Sequence, residues 1–235
     1  MVTWYSLKQF LRDLLLYLGN PINIVSFSPQ HEYLIKYGPY ETVLHIGANI
    51  GQELSLYNYI GVNSVIWIEP DKRAIARLKF RSKFYRNFRN IFINSFISEK
   101  SDEIVPFYKF SKSGANSRFK PTPEFLDSNK SRYLTGVESI KTLSIEDALK
   151  FNKVKIENEN NLLVIDVQGS ETSVFNGFNK ETLTKFRIIM CEFSVNQYEN
   201  VSSNIKLKRL IISLGYKEVL PPIRISDDAI FVRIK

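Results

Sequence analysis

From Thr42 onward the chain alternates short apolar, β-branched runs with segments of helical periodicity, and this alternation constrains the fold most. TVLHIG (42–47) reads as a buried strand and GQELSLYNYIG (51–61) as a helix. SVIWIEP (64–70) and DKRAIARLKFRSKF (71–84) repeat that pair, and NIFINSFIS (90–98) reads as a third strand. Later, NLLVIDVQG (161–169) and RIIMCEFS (187–194) read as strands, with the short helix SETSVFNGF between them. NIKLKRLIISLG (204–215) is a helix closed by Gly215. Strands joined through helices run parallel, because only a crossover of that length returns the chain to the same end of a sheet. The final strands, YKEVL and DAIFVRI, are separated only by PPIRISD, too short for a crossover. They should pair antiparallel, at or near the sheet edge. The expected architecture is α/β: a doubly wound, mostly parallel seven-stranded sheet with a terminal antiparallel hairpin.

A length of 235 residues suits one substantial α/β domain, placed at 41–235, with residues 1–40 as a packed lead-in. In that lead-in Leu7, Phe10, Leu11, Leu14, Leu15 and Leu18 recur at the spacing of an amphipathic helix. It is expected to pack on the domain, with peripheral membrane contact as the alternative. Arg12 and Asp13 interrupt its apolar stretch, no cleavage site follows, and no run is long enough to span a bilayer. Cys191, the single cysteine, sits in an apolar run and is expected to be a buried hydrophobe in a reducing, cytoplasmic setting. The segment from about 99 to 160 is a long insertion holding VPFYKF, SIKTLSIEDAL and the loop SKSGANSRFKPTPEF. Lysine and arginine exceed acidic residues by 32 − 24 = 8, which favours anionic partners. The basic residues are scattered without the aromatic interleaving that stacks bases, so nucleic acid is an unlikely ligand.

Open parallel sheets bind ligands at the carboxyl ends of their strands. Here those ends are Gly47–Gly51, Glu69, Asn94–Phe96, Asp166–Gly169 and Glu192–Ser194, each polar or glycine-bearing after an apolar run. The first turn, GANIGQE, is not the dinucleotide fingerprint, which needs glycine at 49 and a small residue at 52. Nor is it a P-loop, since Gly51 is followed by Gln52 and Glu53 rather than lysine and a hydroxyl residue. Glu69 ends the second strand 69 − 51 = 18 residues after Gly51, where a carboxylate accepts hydrogen bonds from both ribose hydroxyls. An adenosine-like ligand without a pyrophosphate points to S-adenosylmethionine.

Residues 40–200 resemble the FkbM-type methyltransferases, on HIGANIGQE, WIEP, INSFISEKSDEIVPFY, SIKTLSIED, LLVIDVQGSE and IIMCEFS. The resemblance implies a Rossmann-like class I methyltransferase that uses S-adenosylmethionine to methylate a hydroxyl, often on the sugar of a glycan or secondary metabolite. It implies that Gly47, Ala48, Asn49 and Gly51 hold the methionine part and ribose. Glu69 with Pro70 would bind the ribose, and Ser95 with Phe96 would border the adenine. Asp166 and Gln168 would lie beside the reacting centre. His45 departs from the family pattern, which usually has a carboxylate there to orient the ammonium of the cofactor.

A sugar hydroxyl is a poor nucleophile, so a general base is expected: Asp166 or Glu192, or alternatively His45. Asp166 with Glu192 could instead hold a divalent metal. The loop Ser111–Lys120, with Arg118 and Lys120, is expected to hold a glycan or small-molecule acceptor. Methylation of RNA or protein, and a non-catalytic binding module on the same fold, are the alternatives.

Overall fold

The computed structural model describes residues 28–193, 197–222 and 227–234. The helical pattern at Leu7–Leu18 and the strand-end residue Ser194 lie outside the described residues.

The main sheet has seven strands: β1 (Thr42–Ile46), β2 (Ser64–Ile68), β3 (Arg89–Ile93), β7 (Asn161–Ile165), β8 (Phe186–Phe193), β9 (Tyr216–Leu220) and β10 (Asp227–Arg233). They lie in the order β3-β2-β1-β7-β8-β10-β9. All neighbours are parallel up to β8, while β10 runs antiparallel to both β8 and β9. The terminal pair is thus a hairpin whose second strand is inserted inward and whose first strand forms the edge.

Each central strand is buried on both faces, as parallel strands under helices must be. Its alternating side chains therefore enter two cores. Leu44, Ile46, Ile66, Ile68, Leu163 and Ile165 enter one. Val43, Val65, Trp67, Leu162 and Val164 enter the other. Two of the helices that cover the sheet begin at polar caps: Asp71 accepts from Arg73 N at the start of α3 (Lys72–Ser82), and Ser203 accepts from Lys206 N at the start of α8 (Asn204–Ser213).

The expected strand over 90–98 divides in two. β3 ends at Ile93, and Phe96–Ile97 (β4) joins a second sheet, where it pairs parallel with the end of β6 (Leu134–Leu143). The break has a local cause. The Asn94 side-chain amide donates to the carbonyls of Glu69 (2.7 Å) and Pro70 (2.9 Å), which draws the chain off the ladder. Phe96 then packs edge-on against Phe107 of β5 (Ile104–Phe110), with ring centroids 5.8 Å apart. β5 pairs antiparallel with β6, completing a three-stranded sheet.

β1 lies between β2 and β7, and the chain winds outward in opposite directions from these two strands. A crevice must open above their carboxyl ends, because the connections leave on opposite sides.

Candidate active site

The β1 turn is built from backbone conformations that side chains disfavour. Gly47 has φ +88°, and a Cβ there would lie 1.7 Å from the carbonyl oxygen of Asp166. The turns after β1 and β7 are therefore in direct contact, and only glycine permits it. Gly47 N and Ala48 N both donate to Ile68 O, at 2.9 and 3.0 Å. Asn49 is left-handed at φ 44°.

Glu69 ties this turn to the next one. One carboxylate oxygen accepts from Asn49 N and the other from Asp71 N, each at 2.8 Å. Each oxygen keeps a second lone pair for a ligand.

Gly47, Asn49, Glu69 and Pro70 line a cleft at these strand ends. Ser95, Asp166 and Gln168 line it too, and Ile68, Phe96, Ile97 and Phe107 give it an apolar wall. Its far side comes from the insertion: Ser113, Gly114 and Asn116 reach it. Ser113 Oγ donates to Asn49 Oδ1 (2.6 Å), and Asn116 Nδ2 donates to Asp71 Oδ2 (3.0 Å). The loop Ser111–Lys120 as a whole is expected at the acceptor, but within SKSGANSRF only tertiary proximity to the first turn singles out these residues.

Two glycine-turn residues sit behind the cleft. Ala48 is buried in the core, and Gly51 packs against Leu78 of α3. His45 does not line the cleft either. Its ring is buried against Tyr57 and Trp67, and its Nδ1 lies 3.0 Å from the Tyr57 hydroxyl. Burial pushes its pKa down to about 3, so the imidazole is neutral. Of the loop cations, Lys120 pairs with Glu199 at 3.1 Å, and Arg118 lies against Ser98 Oγ and the Phe119 ring.

Beyond the glycine turn, Asp166 and Glu192 are linked by one amide. Gln168 Nε2 donates to Asp166 Oδ1 at 2.7 Å and to Glu192 Oε2 at 2.8 Å. Burial raises the proton affinity of both carboxyl groups, and Asp166 further raises that of Glu192. The two carboxyl groups also hydrogen-bond directly to each other, so the amide joins a pair already in contact. Among the described residues, no group of three or more His, Cys, Asp or Glu side chains is arranged to hold a metal. Glu171 accepts from Val167 N and Gly169 N, closing the β7 turn beneath them.

Burial also raises the pKa of Glu53 to about 8 and those of Glu69, Glu171 and Asp228 to about 7. A raised carboxyl pKa means that the folded chain keeps protons the unfolded chain releases, so stability falls as pH rises towards the folded value. His45 acts with the opposite sign, but its contribution is complete above about 6.5, the value of a free imidazole. Between pH 6.5 and 8.5 the ligand-free protein should therefore lose several degrees of melting temperature, by roughly 2–4 °C per kcal/mol. Scanning calorimetry across that range checks this, and a flat or rising trend contradicts it.

The strand order, the antiparallel β10 and the cleft above β1 and β7 define a Rossmann-like α/β fold with its site at the strand ends. The chain belongs to the FkbM methyltransferase family: residues 45–218 match the family model described as the methyltransferase FkbM domain. Among solved structures it is similar to methyltransferase FkbM from Methylobacillus flagellatus KT, with 16% identity and a TM-score of 0.52. That match covers 82% of this chain but 43% of the other, so this chain corresponds to less than half of that protein. An O-methyltransferase from Bacillus cereus in complex with SAH matches with 10% identity and a TM-score of 0.47, over 97% of this chain and 91% of that one. Aeropyrum pernix fibrillarin, solved with natively bound S-adenosyl-L-methionine, matches with 10% identity and a TM-score of 0.43, over 94% and 74%. No curated protein matches the chain. No helix among the described residues is long and apolar enough to cross a membrane.

Proposed function

We propose that this protein methylates a hydroxyl group on a sugar, using the Asp166–Glu192 pair as the proton acceptor, in a reducing, cytoplasmic setting. The observation that carries this reading is the buried carboxylate pair bridged by Gln168 beside the cleft. A neutral hydroxyl needs a base, and carboxylates of raised proton affinity suit one that works near neutral pH.

S-adenosylmethionine, when bound, supplies an electrophilic methyl group on sulfur. The residues lining the cleft fit it. Glu69 accepts from the two ribose hydroxyls through its free lone pairs, while its backbone bonds hold it still. The apolar wall of Phe96, Ile97 and Phe107 suits a purine face, with Ser95 at its rim. Gly47 leaves room for the ligand chain to pass close to the backbone. The chain's part in the reaction is largely positional, since alignment of the reacting atoms lowers such barriers by several kcal/mol. Ser113 and Asn116 of the insertion are polar groups at the cleft available to an acceptor, whereas Lys120 is engaged with Glu199.

Glu69→Ala should weaken binding of S-adenosylhomocysteine by about 10–100-fold, from the loss of charge-assisted hydrogen bonds of about 1.5–3 kcal/mol. Isothermal calorimetry measures it, and an unchanged affinity would remove Glu69 from the cofactor site. The acceptor class is tested by offering methyl-labelled cofactor and wild-type protein separate pools of glycans, glycolipids, RNA and protein. Label in an alkali-stable ether of a sugar is expected. Label confined to RNA or protein overturns the proposal, and absence of any heat with the cofactor favours a non-catalytic module.

A further inference from the structure

Tyr198 follows β8 and belongs to none of the strand ends, yet it is tied into the carboxylate pair. Its side chain is buried and packs against Phe125 with ring centroids 5.5 Å apart. Its hydroxyl lies 3.1 Å from Gln168 Oε1 and 2.9 Å from Ala115 O. On the other side of the same amide, Gln168 Nε2 reaches one oxygen each of Asp166 and Glu192. An amide has two N–H donors and one acceptor oxygen; here the N–H side faces the two carboxyl groups, and the oxygen shares the one proton of the Tyr198 hydroxyl with the Ala115 carbonyl. Turned over, it would set its oxygen against two carboxyl groups and withdraw from the Tyr198 hydroxyl the acceptor that it now shares with the Ala115 carbonyl.

We propose that Tyr198 is a positioning residue whose hydroxyl holds the Gln168 amide with its N–H groups facing Asp166 and Glu192. This rests on the reading of those two carboxylates as the proton acceptor. The amide needs such a clamp because the pair sits among other acids: Glu171 on the helix after β7, Asp228 on β10, Glu53 before the first crossover helix and Glu69 after β2 all act on one or both of its members. Burial, with Glu192, Asp166 and Glu171 nearby and Arg132 opposing them, keeps the Tyr198 phenol protonated as a donor. The Gln168 backbone is held separately: it is left-handed at φ 54°, and its carbonyl accepts from Ser117 Oγ at 2.7 Å.

Solvent exchange of the Gln168 side-chain amide protons tests this in ¹⁵N-labelled protein, with the resonance assigned by its loss in Gln168→Leu. In the wild type these protons should exchange far more slowly than those of an exposed glutamine. Tyr198→Phe keeps the ring and should speed the exchange about tenfold, the effect of losing one hydrogen bond of ordinary strength. Ser117→Ala, which removes the bond to the Gln168 carbonyl and the one accepted from Phe119 N but touches no side-chain amide atom, should leave the exchange within about twofold of the wild type. Wild-type protons exchanging at the exposed rate overturn the proposal before any variant is made. So does an unchanged rate in Tyr198→Phe, or an equal acceleration by Ser117→Ala. These readouts need no acceptor, so they separate this inference from the base assignment, which falls if Glu192→Gln and Asp166→Asn both transfer methyl groups at the parental rate.

Discussion

Gly47→Ala should unfold the site and take much of the domain's stability with it. The added Cβ would stand 1.7 Å from the carbonyl oxygen of Asp166 and 2.6 Å from its carbonyl carbon. Those atoms are backbone, held on β7, so no side chain can swing away to relieve the clash. The residue would also keep φ +88°, which L side chains rarely adopt. Strain and steric displacement together should cost about 3–5 kcal/mol, or roughly 10 °C in melting temperature for a chain of this size. Binding of S-adenosylhomocysteine should vanish, because the parting of the two turns moves the cleft floor. Gly61→Ala is the control: its φ is +79°, but nothing lies within 4 Å of the added carbon, so it suffers conformational strain alone. Calorimetric melting that ranks the two variants equally would show that the contact with Asp166 is not tight.

Glu192→Gln should lower kcat for the identified acceptor by about 10²–10⁴-fold, the range expected when a positioned base is removed. S-adenosylhomocysteine affinity should change by less than about threefold, because Glu192 stands behind Gln168 while the cleft itself is lined by Asp166 and Gln168. The substitution nearly preserves volume and replaces an acceptor oxygen by a donor. The remaining amide oxygen can still accept from Gln168 Nε2, so the contact survives while the proton acceptor is lost. A parallel loss in Asp166→Asn would show that the two carboxyl groups work as a unit. Full activity in both variants would leave methyl transfer here to positioning alone.

The parts of this structure that are readable in the sequence are those set by neighbours along the chain. The periodicity of 42–84 marks β1, β2 and the helix after each. The glycine spacing marks a turn that backbone conformation demands, and the short link between YKEVL and DAIFVRI marks antiparallel pairing. The break inside NIFINSFIS is not readable, because Phe96 and Ile97 continue the apolar character of β3 and only the docking of Asn94 on the Glu69 and Pro70 carbonyls diverts them. His45 stands out as a departure in the family pattern, but its neutral state depends on Tyr57 and Trp67, which come from two other elements. Tyr198 carries no local signal at all, and within the expected acceptor loop Ser111–Lys120 nothing local distinguishes Ser113 and Asn116 from their neighbours. A tyrosine after a strand, or a serine in a Gly-Ser loop, is ordinary until the insertion folds across the strand ends.

The contact between Gly47 and the Asp166 carbonyl joins points 166 − 47 = 119 residues apart. A growing polypeptide therefore exposes its glycine turn and Glu69 well before the opposing wall exists, and β1 must wait for β7 before its second edge is covered. Pairing across so much chain is intrinsically slow. Capture of the nucleoside would then report on completed synthesis, with half-made chains unable to sequester it from the cell's pool.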